Sequence, residues 1–308
     1  MLVPSLYVAV GLILLMGASD RFVVSAVRLA RALGVSTVLI GALIVGLGTS
    51  LPELLVSAIA SLDGKIDVAM ANVTGSNVAN VTLVMGAAAL VAPIMSRTLI
   101  LRREGVMMFV AVSALAGILW DSQVSRVEGV LLLLGMVIAL VLLIRWSSLD
   151  NDAVVEVGED EEAHSVIGEL LIGGAALAIT VFAAQLLLTG ALDIGEEFGL
   201  GEAFLGVMLG VGTSLPELAT TMAAVRRHES DLVIGNILGS NLFNSLAVAG
   251  AAAVAGPGVL VDLARPALVV MVAVVILAGW FAWSHTKVVR SEGSLLLIIF
   301  IVFAVLSY

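Results

Sequence analysis

The chain has 308 residues, of which 61% are hydrophobic and 12% charged, with a mean hydropathy of +1.18 and a formal charge of −10. Such a composition supplies too little polar surface for a soluble domain, so soluble enzymes are excluded and a polytopic all-α membrane protein is expected. The absence of cysteine removes disulfides and thiolate metal sites, and the acidic balance disfavours nucleic acid as a partner.

Apolar runs of membrane length fall at residues 3–18, 34–61, 68–92, 105–120, 128–145, 166–190, 203–225, 232–256, 266–283 and 293–307, which predicts ten transmembrane helices. The first run follows Met-Leu-Val-Pro-Ser, without positive charge, and reads as a retained span rather than a leader. Its extension through Arg21, Arg28 and Arg31 continues that helix at a tilt or along the interface. Between the fifth and sixth spans lies SSLDNDAVVEVGEDEEAHS, rich in Asp and Glu and without a basic residue, which reads as a solvated linker over 149–165. His164, His228 and His285 sit among polar residues and read as loop residues rather than zinc-type ligands. With the N-terminus outside, eleven of the fourteen Lys and Arg residues fall in inner loops and only Lys65, Arg126 and Arg265 in outer ones. The positive-inside rule therefore puts both termini outside and the acidic linker in the cytoplasm of a cell (plasma) membrane protein.

The chain contains one stretch twice. Residues 46–93 and 210–257 align without a gap at an offset of 164 and are identical at 21 of 48 positions, most of their polar residues included. Each half has five spans, and an odd number makes the second copy enter the membrane from the opposite side. The expected architecture is two inverted five-helix repeats, 1–148 and 166–308, with a site between them near the midplane.

Within each copy, GTSLPE interrupts an apolar helix: Gly46, Gly48, Thr49 and Ser50 precede Pro52, and Gly210, Gly212, Thr213 and Ser214 precede Pro216. Proline removes a donor and clashes with the carbonyl four residues back, leaving carbonyls in mid-membrane that are tolerable only where they line a cavity. Ser50-x-x-Glu53 and Ser214-x-x-Glu217 have the spacing of a capping box, which would restart the helix and nothing more. A cap does not require a carboxylate, however, and burying one at the bilayer centre costs about 3 kcal/mol. Two glutamates at equivalent positions of opposed repeats would repel each other, and a divalent cation relieves that repulsion. Asn72, Ser76 and Asn80, like Asn236, Ser240 and Asn244, recur every four residues and line one helix face. Ser76 and Asn80 lie nearer the level of the glutamates, whereas Asn72 and Asn77 serve equally well as glue between helices. Carboxylate, carbonyl, amide and hydroxyl oxygens together suit a hard cation such as Ca²⁺ or Na⁺.

GTSLPE followed by NVTGSNVAN, and again by NILGSNLFN, resembles the paired alpha-repeats of the cation/calcium exchanger superfamily, specifically its sodium/calcium exchanger branch. The resemblance implies a secondary antiporter working by alternating access, in which the first and sixth helices slide past a core of the repeats. It implies electrogenic exchange of three Na⁺ for one Ca²⁺, no cofactor, no catalytic residues, and function as a monomer in the lipid bilayer. Carried over by position, Glu53 and Glu217 bind Ca²⁺ with the carbonyls of Thr49 and Thr213. Sodium uses the same glutamates with Ser50, Ser76, Ser214, Ser240 and the backbone near Gly46 and Gly210, with Asn80 and Asn244 completing the set. Some relatives have aspartate where Asn244 stands, so potassium co-transport is not expected. Proton/calcium exchange on the same fold is the alternative, although proton-coupled relatives typically carry a GNA-type sequence before the glutamate. An intramembrane metalloprotease would need an HExxH-like pair in a span, and the sequence has none.

Overall fold

The computed structural model describes residues 2–149, 165–199, 211–261 and 265–307. It is almost entirely helical. In chain order the helices are α1 (Leu2–Leu33), α2 (Thr37–Thr49), α3 (Leu51–Leu62), α4 (Ile66–Val91), α5 (Val106–Leu119), α6 (Arg126–Leu149), α7 (Val166–Glu197), α8 (Leu215–Arg226), α9 (Ser230–Ala255), α10 (Arg265–Ser284) and α11 (Arg290–Ser307). Each of the ten apolar runs thus has a helix. Among the described residues, six helices are long and apolar enough to cross a membrane, or seven if α2 and α3 count as one bent span. The others fall short for local reasons. The apolar part of α5 is 14 residues, preceded by Arg102, Arg103 and Glu104. The 12-residue α8 follows residues 200–210, which lie outside the described set, as does 150–164 of the acidic linker.

Burial divides the helices into a core and a periphery. In the apolar windows of α4 and α9, 78% and 83% of residues are buried, against 17% and 28% in α1 and α7. The two core helices carry the Asn, Ser and Gly residues of the duplicated motif, whose small or hydrogen-bonding side chains suit helix–helix contact where lipid removes any hydrophobic drive between helices. Close approach is visible where α2 meets α9: a Cβ on Gly46 would stand 2.8 Å from the Ser240 amide nitrogen. A Cβ on Gly239 would collide with the Ala42 backbone, whereas one on its repeat equivalent Gly75 has no described neighbour within 4 Å.

α1 and α7, each 32 residues and about 48 Å long at 1.5 Å per residue, lie antiparallel against each other. Gly190 abuts Pro4 and Gly173 abuts Ser25. The basic end of α1 continues the helix with one face buried through Phe22, Val23, Ala26 and Ala30, so it packs into the bundle rather than along the interface. There Arg28 donates to the buried Glu169 of α7 at 3.1 Å, and Arg21 lies 3.5 Å from the other oxygen. An exposed pair, Asp20 with Arg227, joins α1 to the end of α8 through donors at 2.8 and 2.6 Å.

Two short antiparallel strand pairs close the ends of the bundle. Ile94–Met95 pairs with Lys287–Val288, and Gln123–Val124 pairs with Gly258–Val259. The register carries the repeat: adding 164 to Ile94 gives Gly258 and subtracting it from Val288 gives Val124, which are themselves partners.

Glu169→Ala strands two arginines beside an apolar helix. It should cost roughly 1–3 kcal/mol, less than a fully buried pair because both guanidiniums reach solvent, while Asp20→Ala should cost about 0–1 kcal/mol. Thermal melts of the two purified variants in one detergent check the order, and an equal loss in both would contradict the burial difference.

Candidate cation site

The break between α2 and α3 is where the site begins. The two helices meet at 44°, with Ser50 at φ −88° and ψ 8°, and Ser214 has nearly the same backbone at φ −89° and ψ 6°. Proline at the second position of α3 and of α8 explains why a new helix starts there: its missing N–H falls where none is needed. Neither serine caps that helix with its side chain, so the capping-box reading does not hold. Instead the Ser50 hydroxyl donates across the repeats to Glu217 Oε1 at 2.9 Å. Thr49 turns its hydroxyl back to the Val45 carbonyl at 2.9 Å.

Around this junction the structure gathers polar atoms without partners. Glu53, Glu217, Ser76, Asn80, Ser214 and Asn244 are all at most 2% exposed. Both carboxylate oxygens of Glu53, Oε2 of Glu217, the hydroxyls of Ser76 and Ser214, and both amide atoms of Asn80 and Asn244 make no hydrogen bond. Buried polar groups are almost always paired, and an unpaired one costs about 1–3 kcal/mol. Carboxylate, hydroxyl and amide oxygens of this kind are the donors that a hard cation takes. Among the described residues no three His, Cys, Asp or Glu cluster, so a cation here would rely on neutral oxygens beside the two carboxylates.

Other expected residues divide by position. Ser240 donates to the Gly46 carbonyl at 3.2 Å, bringing the second repeat's serine onto the backbone of the first repeat's break. Thr213 is half-buried, and Gly210 lies outside the described residues. Asn72 and Asn236 act as glue: Asn72 donates to Ser57 at 3.0 Å and Asn236 to the equivalent Thr221 at 2.9 Å, each tying a half-helix to the next helix. Asn77 donates to Ser245 at 3.1 Å.

One feature of the site has no signal in residue type. Asn80 and Asn244 each begin a π-helical turn, Asn80–Val84 and Asn244–Val248, and Gly41–Gly46 forms a third. A π turn inserts one residue into the helix and shifts the side chains that follow, a distortion common at functional sites. Only the recurrence of NVTLV and NSLAV at the offset of 164 hints that the two positions are alike.

Comparison with known proteins agrees with this geometry. The sequence profile described as "Sodium/calcium exchanger protein" matches residues 4–145 and 169–308. The chain is 37% identical to the "Putative antiporter CaxA" of Alkalimonas amylolytica, over 98% of this chain and 97% of that one. It is 36% identical to the "Inner membrane protein YrbG" of Escherichia coli, over 100% and 98%. In three dimensions it superimposes on the sodium-calcium exchanger NCX_Mj with a TM-score of 0.84 at 30% identity, over 98% of each chain. A profile spanning both halves, relatives aligned end to end and a matching fold place the chain in the sodium/calcium exchanger family, whose members are membrane transporters rather than enzymes.

Proposed function

We propose that the chain is a secondary antiporter that exchanges Na⁺ for Ca²⁺ by alternating access, with three Na⁺ moving per Ca²⁺. The observation that carries this reading is the cluster of unpartnered, fully buried oxygens contributed by both halves: Glu53, Ser76 and Asn80 from one, Ser214, Glu217 and Asn244 from the other. Two carboxylates and a set of neutral oxygens make a hard-cation site of charge −2, which one Ca²⁺ neutralises. The carbonyls of Thr49 and Thr213 and the backbone at Gly46 and Gly210 complete the ligands, with Ser50 and Ser240 serving Na⁺. Sodium rather than proton coupling is the reading that the family supports, and the proton alternative is met directly by the last experiment below.

The architecture that goes with it is ten spans in two inverted repeats, 1–148 and 166–308, joined by a cytoplasmic segment over 149–165, with both termini outside the plasma membrane and one chain sufficient for transport. Support comes from the strand pairs that exchange under the repeat offset and from the antiparallel packing of the equivalent helices α1 and α7.

Glu53→Gln and Glu217→Gln should each abolish Ca²⁺ uptake into vesicles while leaving thermal stability unchanged or higher, since each removes a buried charge that caps nothing. Near-normal uptake by either purified variant would remove the glutamates from the ion path.

Asn244→Asp places a third carboxylate among the two. The added charge should either capture a proton or recruit a further monovalent cation, because three uncompensated charges in a low-dielectric site are costly. Transport should become more pH-dependent or gain potassium sensitivity. A variant indistinguishable from wild type, with and without K⁺ across neutral pH, would put Asn244 outside the site.

A Ca²⁺-loaded site is neutral and a site loaded with three Na⁺ carries one positive charge, worth about 2.3 kcal/mol per 100 mV. In vesicles with internal Na⁺ and external Ca²⁺, an interior made positive with valinomycin and K⁺ should accelerate Ca²⁺ uptake, and the reverse potential should slow it. Uptake indifferent to potential would mean electroneutral exchange, and a protonophore then separates two Na⁺ from two H⁺ per Ca²⁺.

A further inference from the structure

Away from the cation site, α5, α9 and α10 enclose an apolar cleft of about 560 Å³, well within the range of roughly 300–1,000 Å³ typical of ligand pockets. Its floor is Val81, Ile234 and Ile237, buried residues on the helices that carry Asn80 and Asn236. Its mouth is formed by Phe109 and Trp283, which are exposed. The cleft does not end there. A second apolar hollow of about 350 Å³ between α5 and α10, reaching Trp120 and Val269, shares Ile276 with the first. From Val269 to Trp283 the trough follows α10 for about 21 Å at 1.5 Å per residue. That exceeds half of the hydrocarbon core, about 15 Å.

A void of this size in a packed bundle is costly unless something apolar fills it, and water would find few polar partners on its walls. The Ser96 hydroxyl is already committed to the Ala282 carbonyl at 2.8 Å. Among the described residues one charged group lines the cleft, Arg102, and it makes no ion pair with another of them. Its surroundings favour an anion. Arg103 and Lys287 make no ion pair among the described residues, and Lys287 lies on the strand between the lining residues Trp283 and Val288. Three nearby acids are engaged elsewhere: Asp231 holds Arg97 at 2.8 Å, Glu104 lines a separate crevice with Ser36 and Trp146, and Glu292 accepts from the Val289 amide at 2.9 Å.

We propose that this cleft is a binding site for an anionic phospholipid, with one acyl chain lying in the trough along α10 and the headgroup phosphate held by Arg102. The shape argues for a chain rather than a compact ligand, and the free guanidinium beside exposed aromatic residues at the rim argues for a phospholipid at headgroup level. A chain seated there packs against the backs of α4 and α9, one residue from Asn80 and Asn236, so its presence stiffens the helices that carry the cation site.

The test uses the delipidated full chain, incubated with an equimolar mixture of phosphatidylglycerol and phosphatidylcholine and weighed intact by mass spectrometry. One phosphatidylglycerol per chain should be retained, in excess over phosphatidylcholine. Arg102→Gln should lower that preference about fivefold, the factor for one basic residue at a membrane surface. Gly279→Leu should lose the lipid altogether: a Cβ at Gly279 meets no atom within 4 Å, so the new side chain occupies the cleft without strain. An unchanged thermal midpoint establishes that Gly279→Leu is folded. Lipid retained by Gly279→Leu at the wild-type level, or no preference for phosphatidylglycerol in the wild type, would overturn the proposal. Complete displacement by added palmitate would also overturn it, because the occupant would then be a free fatty acid.

Discussion

The rest of the structure depends on burying two glutamates in an apolar bundle with no ion-pairing basic residue among the described residues. Glu53 and Glu217 are at most 1% exposed, and Glu217 accepts a hydrogen bond from Ser50 on the opposite repeat. Elsewhere in the molecule a buried carboxylate is handled in the ordinary way: Glu169 sits between Arg21 and Arg28. The contrast between these two treatments of the same residue type separates structure from function. A bilayer penalises an unpaired carboxylate, and a fold that accepts the penalty twice, at equivalent positions, is organised to have it offset by something that comes and goes.

The remaining architecture serves that arrangement. Backbone in hydrocarbon must keep its polar groups satisfied, so the break at Ser50 is tolerable only inside the protein, against the largely buried α4 and α9, while α1, α6 and α7 stay mostly exposed. Close contact is achieved by glycine and by short hydrogen bonds such as Asn236 to Thr221, which fix one helix against the next without occupying the oxygens of the site. The two π turns at Asn80 and Asn244 leave both amides unpartnered at the same depth of their respective repeats. On the outer face of the same helices, Val81, Ile234 and Ile237 line an apolar cleft beneath Arg102.

The two repeats are alike without being interchangeable. Ser50 donates to Glu217, yet among the described residues its equivalent Ser214 leaves its hydroxyl without a partner. An asymmetry of this kind gives the two carboxylates different surroundings.

By itself the sequence determined the membrane class, the helical content, the duplication and its offset, and the identity of the polar residues within it, because all of these follow from composition and local pattern: apolar runs must be helical in lipid, and Gly and Pro must interrupt them. It left two meanings open for Ser50-x-x-Glu53, since a capping box and an ion ligand have the same spacing. The tertiary structure removed the cap by sending the Ser50 hydroxyl to a residue 167 positions away, a contact that no local pattern encodes. It likewise assigned Asn72 and Asn236 to helix glue and left Asn80 and Asn244 unpartnered, although all four share one spacing, because the division depends on which helix lies opposite. The π turns and the cleft along α10 were invisible beforehand for the same reason: each arises from how neighbouring helices pack, not from the residues along any one of them.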